Sequence, residues 1–283
     1  MSVSKHSKAS QTAAMIAGYR ARASQRPGAL FRDPWARALG GDEGVALSHE
    51  FDAAFPSMEL WTALRTAYID AHVAHWTGER GFRQVVLLGA GLDTRAARLA
   101  RAGTRFYEVD HPATQASKLE ALAALSDYPV DAARYVSCDF EHDDFLERLL
   151  AEGFDATSPA LIVWEGVVSY LSEAAIRATL RRIASGCDPG SVVLFDYLSK
   201  RMGEGTSLRD EDAVSRQFVE TLGEPVLFGS NHPLPLLYEA GFRHVRLITF
   251  DEICLSLTGS YDRAHMFRFQ NMAVASCTAH DVI

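Results

Sequence analysis

Between residues 84 and 198, short apolar runs alternate with stretches long enough to be helices, and this alternation constrains the fold more than any other feature. Gln84-Val-Val-Leu-Leu88, Arg105-Phe-Tyr-Glu-Val109, Arg134-Tyr-Val-Ser137, Ala160-Leu-Ile-Val-Trp164 and Ser191-Val-Val-Leu-Phe195 each read as a strand. Ala96 to Arg101, His111 to Leu125, Asp143 to Leu150 and Ser172 to Gly186 read as the helices between them. Strands that alternate with helices make parallel βαβ units, so a sheet with both faces covered is expected.

The flanks read differently. Up to about residue 78 the chain is helical in pattern, with Leu60, Trp61, Leu64, Tyr68 and Ala71 at helical spacing. Asp33-Pro34 looks like an N-cap followed by proline at the first helical position. Residues 200–232 carry Gly203, Gly205, Gly223, Gly229 and mixed charges, and read as a partly helical insertion over the site. Leu234 to Glu239 is a short helix, and His244 to Phe250 and Gln270 to Ser276 are two last strands. No long helix fits between those two, so at least one should be antiparallel. The expected organisation is one domain over 1–283: a helical cap (1–80), a cofactor-binding core (81–197), an insertion (198–232) and C-terminal strands (233–283).

Charge narrows the partners. Among 283 residues, 28 basic and 36 acidic ones leave a formal net charge of -8, which suits a phosphate backbone poorly. The four cysteines, Cys138, Cys187, Cys254 and Cys277, lie far apart and form no CxxC pair, so neither a zinc site nor a disulfide framework is suggested and a cytoplasmic location fits. No apolar run is long enough to span a bilayer. Before Asp33 the basic residues Lys5, Lys8, Arg20, Arg22, Arg26 and Arg32 stand without an acid. A transit peptide has that composition; the preferred reading is a tail entering a helix with a basic face. His72 and His75 share a helical face but lack an acid or cysteine partner, so no metal is expected. There is no G-x-S-x-G elbow.

The chemical signal is Val85-Val-Leu-Leu-Gly-Ala-Gly-Leu-Asp-Thr94. A glycine turn after the first strand lets backbone approach a ligand at the carboxyl ends of the strands. Glu108 and Asp110 close the second strand about 20 residues on, where a carboxylate typically holds ribose hydroxyls. Together they point to an adenosine-containing cofactor; the alternative is a turn that only packs helix on strand. A dinucleotide site wants a third glycine where Thr94 stands, and Asp93 would repel a pyrophosphate. S-adenosylmethionine carries no phosphate, so the acidic turn favours it without excluding a dinucleotide.

Several ordered blocks resemble the leucine carboxyl methyltransferase family, which includes bacterial polyketide carboxyl O-methyltransferases and actinobacterial methyltransferases. They are Thr12 to Leu39, Leu64-Arg65-Thr66, Leu88 to Thr94, Tyr107-Glu-Val-Asp-His-Pro112 with Lys118, Cys138-Asp-Phe140, and Trp164 to Leu171. The resemblance implies the seven-stranded class I methyltransferase sheet, Rossmann-like and mostly parallel with an antiparallel C-terminal strand, under an N-terminal helical cap.

It also implies residue roles. Arg65 and a basic residue of Tyr19-Arg-Ala-Arg22 would hold the methionine carboxylate of S-adenosylmethionine, with Arg22 preferred to Arg20 by its distance to Asp-Pro. Gly89 would line the methionine portion, and Ala90 and Gly91 would also contact the cofactor. Asp110 would bind the ribose, Asp139 and Phe140 would flank the adenine, and Glu165 would face the ammonium. Alternatives are a helix-surface ion pair for Arg65 and a helix cap for Asp139. Tyr170 is the candidate catalytic residue, orienting the acceptor. The implied reaction is O-methylation of a carboxylate on a small acidic molecule, with Arg201, Arg209 and Arg216 as cations that could select it. A hydroxyl acceptor, a catalytically silent cofactor-binding protein and a nicotinamide dehydrogenase are the alternatives.

Overall fold

A computed structural model describes residues 10–140, 142–207, 210–260 and 269–280. Three helices come first: α1 (Gln11–Ser24), α2 (Ala36–Asp52) and α3 (Met58–Gly78). The alternating core follows as β1 (Gln84–Leu88), α4 (Arg95–Arg98), β2 (Arg105–Asp110), α5 (Pro112–Ala123), β3 (Ala133–Ser137), α6 (Phe145–Ala151), β4 (Leu161–Trp164), α7 (Glu173–Gly186) and β5 (Val192–Leu198). The chain ends with α8 (Lys200–Glu204), α9 (Asp210–Thr221), α10 (Leu234–Ala240), β6 (His244–Thr249), α11 (Phe250–Thr258) and β7 (Gln270–Ser276).

The seven strands form one sheet in the order β3-β2-β1-β4-β5-β7-β6. Strands β1 to β5 pair in parallel, and β7 runs antiparallel to both β5 and β6. The expected sheet and its antiparallel strand are therefore present. Strand order reverses between β1 and β4, which opens a crevice at their carboxyl ends, the usual ligand position in such sheets.

The central strands are buried on both faces, and their alternation sorts the core into two layers. Val85 and Leu87 of β1 join Leu161, Val163, Val192 and Leu194 beneath α1, α3 and α11, where Trp61 and Trp76 are fully buried. Val86 and Leu88 face the other way, with Ile162, Trp164 and Val193 against α6, α7 and α10. Shifting any strand by one residue would exchange these sets, so the pattern fixes register.

Local capping sets the helix ends. Ser10 accepts from Ala13 N at 3.0 Å, Asp144 accepts from Leu146 N at 2.9 Å, and Ser172 accepts from Ala175 N at 3.2 Å. Asp33 is not itself the N-cap of α2, which is Trp35; its carboxylate still accepts from Ala36 N at 3.0 Å. Helix α11 lies where no long helix was expected. It is nine residues long and carries a capping box in which Thr249 and Glu252 satisfy each other's backbone N–H.

The N-terminal arginines do not make a basic face. Arg20 pairs with Asp33, Arg22 with Asp52 and Glu59, and Arg26 with Glu59, while Arg32 donates to Ser24 O. Lys5 and Lys8 lie outside the described residues, as does Arg209. Among the described helices none is long and apolar enough to cross a membrane.

Candidate active site

The carboxyl ends of β1, β2, β4 and β5 meet around the glycine turn. Gly89 N and Ala90 N both donate to Val109 O, at 2.8 and 3.2 Å, which folds the turn back over β2. Gly89 has φ +66°, and a Cβ there would collide with Val167 Cγ2, so only glycine fits without strain. Gly91, also at positive φ, donates its N–H to the Asp110 carboxylate, which accepts from His111 N at 2.6 Å as well. Burial raises the Asp110 carboxyl above its ordinary value, and the two backbone donors only partly reverse that.

Glu108 does not share this position. It points beneath the turn, fully buried, and pairs with Lys118, whose Nζ also donates to Asp93 O at 2.5 Å. Burial pushes the Glu108 carboxyl up, against the pull of Lys118. Asp93 is not an open negative charge either. Its carboxylate accepts from Arg95 N at 2.6 Å and from the Arg95 guanidinium. Burial would raise it, but Arg95, Arg20 and Lys118 outweigh that and hold it at about 2. The acidity of the turn is thus cancelled internally, and repulsion of a pyrophosphate by Asp93 carries less weight than the sequence suggested.

From β4, Glu165 stands between two buried guanidiniums, 2.8 Å from Arg65 Nε and 2.5 Å from Arg95 Nη1. Burial would raise its pKa; Arg95 and Arg65 bring it below the ordinary range, so it is ionised at neutral pH. Arg65 donates to Asp196 at 2.8 Å, and Asp196 also accepts from Gly166 N at 2.6 Å. Arg95 and Arg98 both reach Asp70, at 2.8 and 2.5 Å. Removing one member of such a buried set costs about 3–5 kcal/mol, because its partners are left charged and dry.

Arg22 is committed elsewhere. It donates to Asp52 at 2.6 Å and to Ser48 at 3.1 Å, and lies against the Tyr19 ring. Arg20 instead turns inward, with Nε 3.0 Å from Asp33 and Nη2 on the carbonyl of Leu92 in the glycine turn. Asp139 and Phe140 follow β3 and are both half-buried. Asp139 lies 4.0 Å from His111, and Phe140 packs on Phe145. Tyr170 ends a short 3-10 turn, and burial raises its phenol.

A cleft of about 750 Å³, open to solvent, runs from Arg65, Gly166, Tyr170 and Asp196 out between the helical cap and residues 198–226. Its walls are mostly apolar. Arg95, Asp70 and Asp196 were not singled out from sequence, and Arg20 stood there as the alternative to Arg22. Asp196 carried a usable signal: like Glu165, it is an acid in an otherwise apolar strand.

A family model for leucine carboxyl methyltransferase matches residues 13–184, well over half of the chain. The chain belongs to that family. A Mycobacteroides abscessus protein named "Putative S-adenosyl-L-methionine-dependent methyltransferase" is 35% identical over 72% of this chain and 71% of its own length. A Mycolicibacterium smegmatis protein of the same description is 34% identical over 82% of this chain and 78% of its own. Other relatives are matched over 64% of their length. The crystal structure of a DUF574 family protein from Streptomyces avermitilis superposes with TM-score 0.66, covering 93% of this chain and 97% of that one at 15% identity, a likeness of fold. The family match stops at residue 184, so β5 and the 198–226 wall of the cleft lie beyond it.

Proposed function

We propose that this methyltransferase uses S-adenosylmethionine and methylates the carboxylate of a small molecule held in the cleft beside Arg65. The observation that carries the proposal is the placement of Gly89–Gly91, Asp110, Glu165 and Arg65 around one crevice that opens into a mostly apolar cleft. The residues suit the donor. The turn lets backbone come close, and Arg95 Nη2 is buried without a hydrogen-bond partner among the described residues. In this reading Asp110 takes the ribose hydroxyls, Glu165 the ammonium, and Asp139 with Phe140 the adenine. Arg65 takes the methionine carboxylate together with Arg20, whose contact with the glycine turn supports it over Arg22.

The donor, when bound, supplies a methyl carbon on a sulfonium. Ion pairs with Arg95 and Asp196 fix Glu165 and Arg65, so little reorganisation is left for the bound state and most acceleration comes from alignment. Apolar walls strip water from an anionic acceptor and a cationic donor whose charges cancel on transfer. Tyr170, in the cleft wall, orients the acceptor oxygen. A carboxylate needs no base. That matters here, since Asp196 is held by Arg65 and Gly166 and the Tyr170 phenol is pushed up. The proposal includes a cytoplasmic location, consistent with four free thiols.

A second reading, a hydroxyl acceptor with Asp196 as its base, is favoured by one observation: Asp196 lines the cleft. Incubating the protein with labelled donor and a metabolite pool, then treating the labelled product with mild base, decides between them. A methyl ester loses its label; an ether that keeps it would replace the carboxylate reading with the hydroxyl one.

A further inference from the structure

The cleft is apolar but not featureless. Away from Arg65 its walls include Met15, Ile16, Phe55, Met202, Val219 and Val226. Its charged groups are already compensated. Arg65 is paired with Glu165 and Asp196. Arg216 is not extended toward a ligand. It donates to the carbonyls of Gly203 at 2.5 Å, Met202 at 3.1 Å and Val226 at 3.1 Å, and pairs with Glu220 at 3.2 Å. It is a strut that ties α8, α9 and residue 226 into one wall, and Leu227 N and Phe228 N pin the adjoining segment to Ser169 O at 2.8 and 3.1 Å.

Among the described residues three uncharged groups in the same cleft lack partners, and one of them, Thr12 Oγ1, lies beside the Glu224 carboxyl. The other two, Ser215 Oγ and Gln270 Oε1, are buried and make no hydrogen bond among the described residues, with their residues only 4% and 9% exposed. A buried polar atom left unmatched is costly, and a native structure leaves one only with a reason. A charged ligand body would be desolvated against these walls without a counter-ion. A plain hydrocarbon body would leave Ser215 and Gln270 unmet. A hydroxyl group suits either one, since it can accept from Ser215 or donate to Gln270.

We propose that the cleft takes an acceptor whose body is an uncharged alkyl or aryl framework carrying at least one hydroxyl, which Ser215 and Gln270 recognise, with the methylated group at the Arg65 end. This rests on the methyltransferase reading above and names its substrate class. Both recognition residues lie outside the matched span 13–184, as do Met202, Val219 and Val226, so this specificity belongs to this chain's own insertion and last strand.

The test is calorimetric, on the full chain saturated with S-adenosylhomocysteine. Two probe sets are titrated: naphthoic acid, its monohydroxy isomers and its dicarboxylic analogues; and decanoic acid, its monohydroxy isomers and decanedioic acid. At least one hydroxy acid should bind about tenfold more tightly than its parent, and the diacids about tenfold more weakly. In Ser215→Ala and in Gln270→Met, which keeps the side-chain length, that hydroxy acid should fall to the level of its parent while S-adenosylhomocysteine affinity stays unchanged. A diacid that binds as well as its parent, no hydroxyl advantage, an advantage that survives both substitutions, or no acid bound by the loaded protein would each overturn the inference. Failure of S-adenosylhomocysteine itself to bind would instead overturn the donor reading. An alcohol that binds as tightly as its matching acid would uphold the uncharged body and count against the carboxylate.

Discussion

The Arg65 guanidinium donates to the Asp196 carboxylate at 2.8 Å, joining the third helix of the cap to the end of the fifth strand across 131 positions of sequence. The same side chain lies 2.8 Å from Glu165 and is only 5% exposed. One arginine therefore ties the helical cap to two strand ends and lines the cleft.

If Arg65 holds the methionine carboxylate, Arg65→Ala weakens S-adenosylmethionine more than adenosine, which lacks that group. The expected gap is roughly tenfold or more, about 1.5–3 kcal/mol for a charge-assisted contact. The alanine variant also strands Glu165 and Asp196, so Arg65→Lys serves as the milder companion and should retain the fold while losing paired geometry. Equal losses for both ligands by calorimetry would assign Arg65 a purely structural role.

Gly89→Ala should destabilise the protein by about 1–2 kcal/mol from its left-handed backbone alone, and by a further ~1–3 kcal/mol from the collision with Val167. Val167→Ala in the same chain should return the second part and not the first. Urea denaturation of the two variants checks this; a double variant as stable as the native chain would contradict the backbone argument.

Asp93 gives a pH signature. Its folded pKa is lowered from 3.8 to about 2, so its contribution to stability is present above pH 3.8 and is lost as pH falls toward 2. The linked free energy is about 2 kcal/mol. Denaturation midpoints at pH 7 and at pH 3 should show the native chain ahead of Asp93→Asn at neutral pH and the gap closing in acid. A gap independent of pH would mean that the asparagine disturbs packing rather than charge.

The sheet was legible because its strands are buried on both faces, and a run such as Gln84 to Leu88 admits few other readings. The glycine turn was legible for a similar reason, since Gly89 and Gly91 sit where a side chain would clash or strain. Helix α11 was missed because a nine-residue helix leaves little periodicity; only the Thr249–Glu252 pair announced it. Spacing to Asp33-Pro34 favours Arg22, whereas the contacts in the fold favour Arg20. Both lie on α1, two residues apart and so on different faces of the helix, and only the fold shows that Asp52 and Glu59 wait on one side and Leu92 on the other. Ser215 and Gln270 carry no sequence signal at all, because what marks them is the lack of a partner among the described residues in three dimensions.

If this crevice binds S-adenosylmethionine through Asp110, titration of S-adenosylhomocysteine into the native chain and into Asp110→Ala separates the two. Removing the carboxylate also takes the acceptor from Gly91 N and His111 N, both part-buried at the turn, so a thermal melt accompanies the titration and should show the fold retained. The native chain should show saturable single-site binding, and the variant a loss of roughly 1.5–3 kcal/mol, about ten- to a hundredfold in affinity. No binding by the native chain, or the same affinity in both, would contradict it.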